Sequence, residues 1–279
     1  MNSAISHTVP PLPLPDVLLQ GARNFRDIGG VINRDGRKVR MGQVFRSEHL
    51  AHLTEEDIKT WRRLGIKVVF DLRSHRERLR LPSRLPGDPK PEILEMSINQ
   101  DVNAAHETFR SLIRRDPSPE GAVHTMLEIY RGHPKAFEGK LTIFFDRLIE
   151  GHLPAVVHCH AGKDRTGFAS AMLLLALDVP LEAIFEDYLA TMRYLDLVRS
   201  AKALKPVLDE ILDKPLEPEA LNQIMSVRRE YLQTALDTIV EQYGSIDAYL
   251  EHTAGLTPAR RNALQAQLLE QVPDQEEYL

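Results

Sequence analysis

The run Ile66–Leu72 constrains the fold more than any other stretch of this chain. Val68, Val69 and Phe70 stand together at its centre. Consecutive β-branched and aromatic residues read as a strand buried on both faces, and such strands belong to sheets covered by helices on each side. A helix signal stands directly before it. Thr54 is a good N-cap, Glu55, Glu56 and Asp57 supply negative charge to the first turn, and Gly65 stops the helix. Helix followed by buried strand predicts an α/β fold. The pattern recurs where the short apolar strand Ala155–His158 passes through a glycine-containing loop into an apolar helix over Thr166–Leu177.

The remaining segments fit this layout. Asn33-Arg34-Asp35-Gly36 reads as a hairpin turn between Gly29–Ile32 and Lys38–Met41, with a further strand at Gln43–Arg46. The proline-rich stretch Leu81–Pro91 reads as loop, and Ile93–Ile98 returns to the sheet. Helices are expected within Asn103–Arg131, over Ala136–Glu150 up to Gly151, and from Pro180 through Tyr188. Leu195–Leu269 is mainly helical, interrupted by Pro206, Pro215 and Pro218. Pro10, Pro11, Pro13 and Pro15 make residues 1–20 an extended or disordered leader. Residues 21–270 form one domain with a helical C-terminal third, followed by a polar tail over 271–279. The helices between Leu195 and Tyr231 either cover the site as a lid or simply pack.

The formal charge of −5 over 279 residues carries no basic excess, so nucleic acid is not an expected partner. The single cysteine excludes an internal disulfide. No apolar run reaches membrane-spanning length, and the N-terminus lacks the pattern of a signal peptide. A cytoplasmic protein is expected. Oligomeric state and export by another route are open.

The chemistry concentrates in Val156-Val157-His158-Cys159-His160-Ala161-Gly162-Lys163-Asp164-Arg165-Thr166-Gly167. Five residues separate Cys159 from Arg165. A buried strand precedes the loop and a helix follows it. A loop in that position turns backbone N–H groups inward, and the helix adds the positive end of its dipole. Such a concavity suits a phosphate dianion and also stabilises a thiolate. Cys159 is therefore the candidate nucleophile. Arg165 is the candidate two-oxygen clamp, and His160, Ala161, Gly162, Lys163 and Thr166 complete the phosphate loop. Gly162 permits a backbone shape that a side chain would obstruct. Lys163 is expected to add positive charge at the mouth. Asp164 is expected to act as general acid, and the Thr166 hydroxyl to assist the departing sulfur. His158 is placed behind the loop.

His158–Gly167 resembles the HCxxGKDRTG loop of the atypical tyrosine phosphatases of bacteria and fungi, relatives of the secreted mycobacterial tyrosine phosphatase and the Listeria lipid phosphatase. Asn24-Phe25-Arg26-Asp27-Ile28-Gly29-Gly30, Phe45-Arg46-Ser47, Leu64-Gly65-Ile66, Asp71-Leu72-Arg73-Ser74, Asp187-Tyr188-Leu189 and Tyr243-Gly244-Ser245 fit the same family. His160 and Ala190-Thr191-Met192 depart from its pattern. The resemblance implies a protein-tyrosine-phosphatase-like fold, a mostly parallel sheet flanked by helices, working without cofactor or metal. It implies phosphotyrosine as substrate, accompanied by phosphoserine/threonine or phosphoinositide. On that basis Cys159 is the nucleophile through a phosphocysteine intermediate, and Arg165 the phosphate clamp.

Several secondary readings stay open. Asp71, at the end of a strand, is an alternative acid, an orienting partner for Arg165, or a structural partner of Arg73. Asn24, Arg26 and Asp27 brace the phosphate loop or stabilise a turn. Arg76, Arg78, Arg80 and Arg84 form a solvated surface or a second anion contact. His152, His158 and His160 lack the companion ligands of a metal site. Competing functions are a phosphate-recognition module without turnover and a sulfur-transfer enzyme.

Overall fold

The computed structural model describes residues 19–98, 102–194, 201–202, 208, 212 and 216–272, without the side chains of 102–108. Most of the proline-rich leader, part of the Leu195–Tyr231 stretch read as lid or packing, and nearly all of the polar tail lie outside these residues. In chain order the elements are β1 (Arg26–Asp27), β2 (Lys38–Val39), β3 (Val44–Ser47), α1 (Glu55–Leu64), β4 (Val68–Asp71), α2 (His75–Arg80), β5 (Glu92–Glu95), α3 (Val102–Arg115), α4 (Pro119–Arg131), α5 (His133–Ala136), α6 (Lys140–Ile149) and β6 (Ala155–His158). Then follow α7 (Asp164–Ala176), α8 (Leu181–Tyr194), α9 (Pro218–Met225), α10 (Arg229–Tyr243), α11 (Ile246–Ala254), α12 (Pro258–Leu268) and β7 (Leu269–Glu270).

The main sheet has the order β1-β3-β6-β4-β5. The pairs β3–β6, β6–β4 and β4–β5 are parallel, and only β1 runs antiparallel, against β3. This is the expected mostly parallel sheet flanked by helices. Its strands alternate between two apolar layers because successive side chains point to opposite faces. Val68, Phe70, Ala155 and Val157 join the large core beneath α4, α6, α7 and the C-terminal helices. Val69, Val156 and Phe45 face the smaller core with Trp61 and Ile58 of α1. Both faces are covered, which is why the strands read as apolar runs.

Local signals set the element ends. Thr54 caps α1 in a reciprocal capping box with Asp57, and Gly65 closes it in the left-handed region at φ 64°. The expected helix over 136–150 is broken, because Gly139 at φ 70° separates α5 from α6. Asp116-Pro117-Ser118 likewise divides α3 from α4, with Ser118 capping α4. The Asp-Gly turn brings Ile32 to a single bridge with Lys38. The ladder of β2 is formed instead with β7, so the chain's C-terminal strand closes this edge.

β6 lies at the middle of the sheet. Its last residue, His158, is in register with Ser47 of β3 and Asp71 of β4. The loop after β6 thus leaves the carboxyl edge between two parallel neighbours, where α/β sheets place their ligand sites.

Candidate phosphate-binding site

Residues 159–163 connect β6 to α7. Their carbonyls are tied away from the loop interior. The amide of His49 donates to the His160 carbonyl at 3.0 Å. Asn24 Nδ2 donates to the carbonyls of Ala161 and Gly162 at 3.2 and 2.9 Å, and Arg46 Nη2 to that of Gly162 at 3.1 Å. In a planar trans peptide the next N–H is antiparallel to the carbonyl. The N–H groups of Ala161, Gly162 and Lys163 therefore face away from these donors, into the loop. Gly162 sits at φ 68°, and a Cβ there would lie 2.5 Å from the Ser47 carbonyl oxygen; only glycine fits. No side chain caps α7 at Lys163, which leaves its first-turn amides available to an anion.

Cys159 opens the loop, buried beside the apolar core, and its sulfur lies within electrostatic reach of the Arg165 guanidinium. His158 stands behind it, fully buried. Its Nδ1 is 3.2 Å from the Cys159 carbonyl. Burial lowers the imidazole to about 4, so it is neutral near pH 7. Thr166 is also fully buried, and its Oγ1 has no hydrogen-bond partner among the described residues. His160 and Ala161 are half-buried at the rim, with the His160 ring 5.3 Å from that of His49.

Arg165 is held by a residue that sequence reading did not single out. Glu77 of α2 accepts from Nη2 at 2.7 Å and Nη1 at 2.8 Å. Burial alone would raise the Glu77 carboxyl, but the Arg165 charge overrides it and holds the group well below the usual range. The reading of Asp71 as orienting Arg165 is thus corrected. Asp71 is taken by Arg73, which donates from Nε at 2.9 Å and Nη2 at 2.7 Å. Both are buried, and the pair fastens the turn after β4. These partners leave Asp71 poorly placed as an acid.

Lys163 requires a second correction. It does not stand at the mouth. Its side chain is buried and donates to the carbonyls of Ile224 and Ser226 at 2.9 and 3.3 Å, and to Asp164 Oδ1 at 2.9 Å. Three acceptors use up an ammonium's three donors, so only the Lys163 backbone serves the loop. Asp164, partly exposed, also accepts from the Tyr130 hydroxyl at 2.8 Å.

A buried network braces the loop from behind. Arg26 donates to Asn24 Oδ1 and to Asp187. Arg46 pairs with the other oxygen of Asp187. Thr191 Oγ1 accepts from both arginines, at 3.1 and 3.4 Å. Burial, then the Arg46 charge, lowers Arg26 to about 10. Burial opposes the Asp187 charge, but the two guanidiniums hold its carboxyl below the usual range. Asn24 and Arg26 therefore brace the loop, whereas Asp27 stabilises the adjacent turn through the amides of Gly29 and Gly42. In the basic cluster, Arg78 binds Ser97 and Glu95, and Arg84 binds the Leu53 carbonyl and Glu55. Arg76 and Arg80 remain on the exposed face of α2.

The family model described as "Tyrosine phosphatase family" matches residues 17–270. The chain belongs to this family. The phosphatase is 34% identical over 280 residues to the triple specificity protein phosphatase PtpB of Mycobacterium tuberculosis, covering 90% of this chain and 98% of that protein. It is 30% identical over 253 residues to a Cupriavidus necator protein named provisionally as a tyrosine-protein phosphatase, covering 84% and 82%. A tyrosine-protein phosphatase of Nostoc commune is 27% identical over 152 residues, covering 54% of this chain and 49% of its own length. The phosphatase is accordingly a protein-tyrosine-phosphatase-like hydrolase acting on phosphorylated substrates. None of its described helices is long and apolar enough to cross a membrane.

Proposed function

We propose that the phosphatase hydrolyses phosphomonoesters through a phosphocysteine on Cys159, with protein phosphotyrosine as the main substrate and phosphoserine/threonine or phosphoinositide turned over as well. The observation that supports this reading is the loop after Cys159, where the carbonyls of His160, Ala161 and Gly162 are tied outward, which turns the amides that follow them inward. That arrangement stabilises charge on a transferring phosphoryl group without reorganising.

Arg165 completes the site. Glu77 occupies the Nη1–Nη2 edge of its guanidinium. The Nε–Nη2 edge is left for two phosphate oxygens, the planar fork that suits them. The Cys159 thiolate attacks phosphorus in line. The S–P bond forms as the ester P–O bond breaks, and Asp164 delivers a proton to the leaving oxygen. Water then attacks the phosphocysteine, Asp164 takes its proton, and the sulfur departs toward the Thr166 hydroxyl. The triple specificity named for the mycobacterial relative supports a substrate set wider than phosphotyrosine.

The test is turnover of p-nitrophenyl phosphate by the wild type and by Cys159→Ser, with and without EDTA. Loss in the variant and indifference to chelator are expected. Turnover retained by Cys159→Ser sinks the covalent route, and binding without turnover in the wild type would indicate a recognition module. A panel of phosphotyrosine peptide, phosphoserine peptide and phosphoinositide vesicles then ranks the substrates.

A further inference from the structure

We propose that Tyr130 is a positioning residue for the proton transfer: its hydroxyl fixes the Asp164 carboxyl so that the proton delivered to the leaving oxygen sits on Oδ2. This rests on the reading of Asp164 as general acid.

Tyr130 lies at the end of α4, fully buried. Its hydroxyl donates to Asp164 Oδ1 at 2.8 Å and lies 2.6 Å from the hydroxyl of Tyr188. A phenol has one proton. Since Tyr130 gives its proton to Asp164, the proton between the two tyrosines comes from Tyr188. The order is Tyr188 to Tyr130 to Asp164. Lys163 Nζ donates to the same Oδ1 at 2.9 Å. Two donors converging on one oxygen leave no room for a proton there, so a protonated Asp164 carries it on Oδ2.

Aromatic neighbours hold the Tyr130 ring in place. Its ring stacks on His133 at 4.7 Å and packs against Tyr231 at 5.7 Å. Burial, then the Asp164 charge, pushes its phenol well above the ordinary value, so it remains a donor. Buried beneath Asp164, it acts through that residue. In the transfer, the Asp164 Oδ2–H bond breaks, its proton goes to the ester oxygen, and that oxygen keeps the electron pair of the broken P–O bond. The same two donors then hold the carboxylate left behind.

The test measures kcat and KM over a series of aryl phosphates of rising leaving-group pKa, for Tyr130→Phe, Asp164→Asn and the double variant. Proton donation matters most for the least acidic phenols. Tyr130→Phe is expected to lower kcat for phenyl phosphate about 10-fold, to leave KM within about twofold, and to steepen the dependence on leaving-group pKa. The double variant should be no worse than Asp164→Asn. Tyr249→Phe, whose lost hydroxyl serves the Pro134 carbonyl, should leave that dependence unchanged. If Tyr130→Phe does not fold, Tyr188→Phe decides, with a smaller steepening expected. An unchanged slope in the folded tyrosine variant, beside a steepened slope in Asp164→Asn, overturns the inference alone. An unchanged slope in Asp164→Asn overturns the general-acid reading, and the inference with it.

Discussion

Glu77 and Arg165 meet edge to edge, and the same Glu77 Oε2 that binds Nη1 also accepts the amide of Ser74 at 2.7 Å. One carboxylate thus closes the capping box of α2 and holds the guanidinium of Arg165. Glu77→Gln keeps a capping group but loses the charge. We expect kcat/KM to fall about 10- to 100-fold, or roughly 1.4–2.7 kcal/mol of transition-state stabilisation, and Tm to fall with it because Arg165 loses its counter-charge. Glu77→Ala should show the same kinetic loss and cost about 1 kcal/mol more in stability. Equal kinetics in wild type and Glu77→Gln would separate Glu77 from catalysis.

Asp187 is the shared counter-charge of two buried arginines, Arg26 and Arg46. Removing it strands both charges behind the loop. Asp187→Ala should destabilise the fold by about 3–5 kcal/mol, read as a lowered midpoint in urea. A loss within about 0.5 kcal/mol would mean that the network contributes little.

Gly162→Ala places a methyl group into the Ser47 backbone at a left-handed φ. The loop must move, and the amides lose their common aim. Turnover of p-nitrophenyl phosphate should drop by about 100-fold or more, the scale of losing transition-state donors. Inorganic phosphate should weaken as a competitive inhibitor. Unaltered inhibition would show that the loop tolerates the methyl.

His133 and His158 are each lowered to about 4, chiefly by burial. The unfolded chain binds protons to both near 6.5, while the folded chain does not. Stability from these residues is therefore complete above about pH 6.5 and declines as pH falls toward 4. Urea unfolding should give a stability falling by a few kcal/mol between about pH 6.5 and 4.5. His158→Asn should flatten part of that slope, and an identical slope would exclude His158 as its source.

Much of this was legible because it is local. Thr54, Asp57 and Gly65 announce α1 within a dozen residues, and the strand, glycine and helix around Cys159 announce the loop. The partners of that loop are not local. Glu77 reaches Arg165 across 88 residues, Lys163 reaches Ile224 across 61, and Tyr130 reaches Asp164 across 34. No periodicity encodes such meetings. The expectation that Lys163 adds charge at the mouth follows from its place in the loop, whereas the distant carbonyls of Ile224 and Ser226 draw its ammonium inward. Glu77 carried a faint signal, standing three residues after Ser74 as a capping box requires, but that pattern says nothing of Arg165. Asp71 was ambiguous because a carboxylate at a strand end suits either chemistry or a turn.

The fastening of Lys163 to Ile224 and Ser226 has a consequence for how the molecule comes apart. Whatever loosens residues 218–226 strips an interior ammonium of two of its acceptors and leaves it leaning on Asp164 alone. The loop after Cys159 and a helix far downstream therefore share one fate under heat or denaturant, and amide exchange should report them opening together.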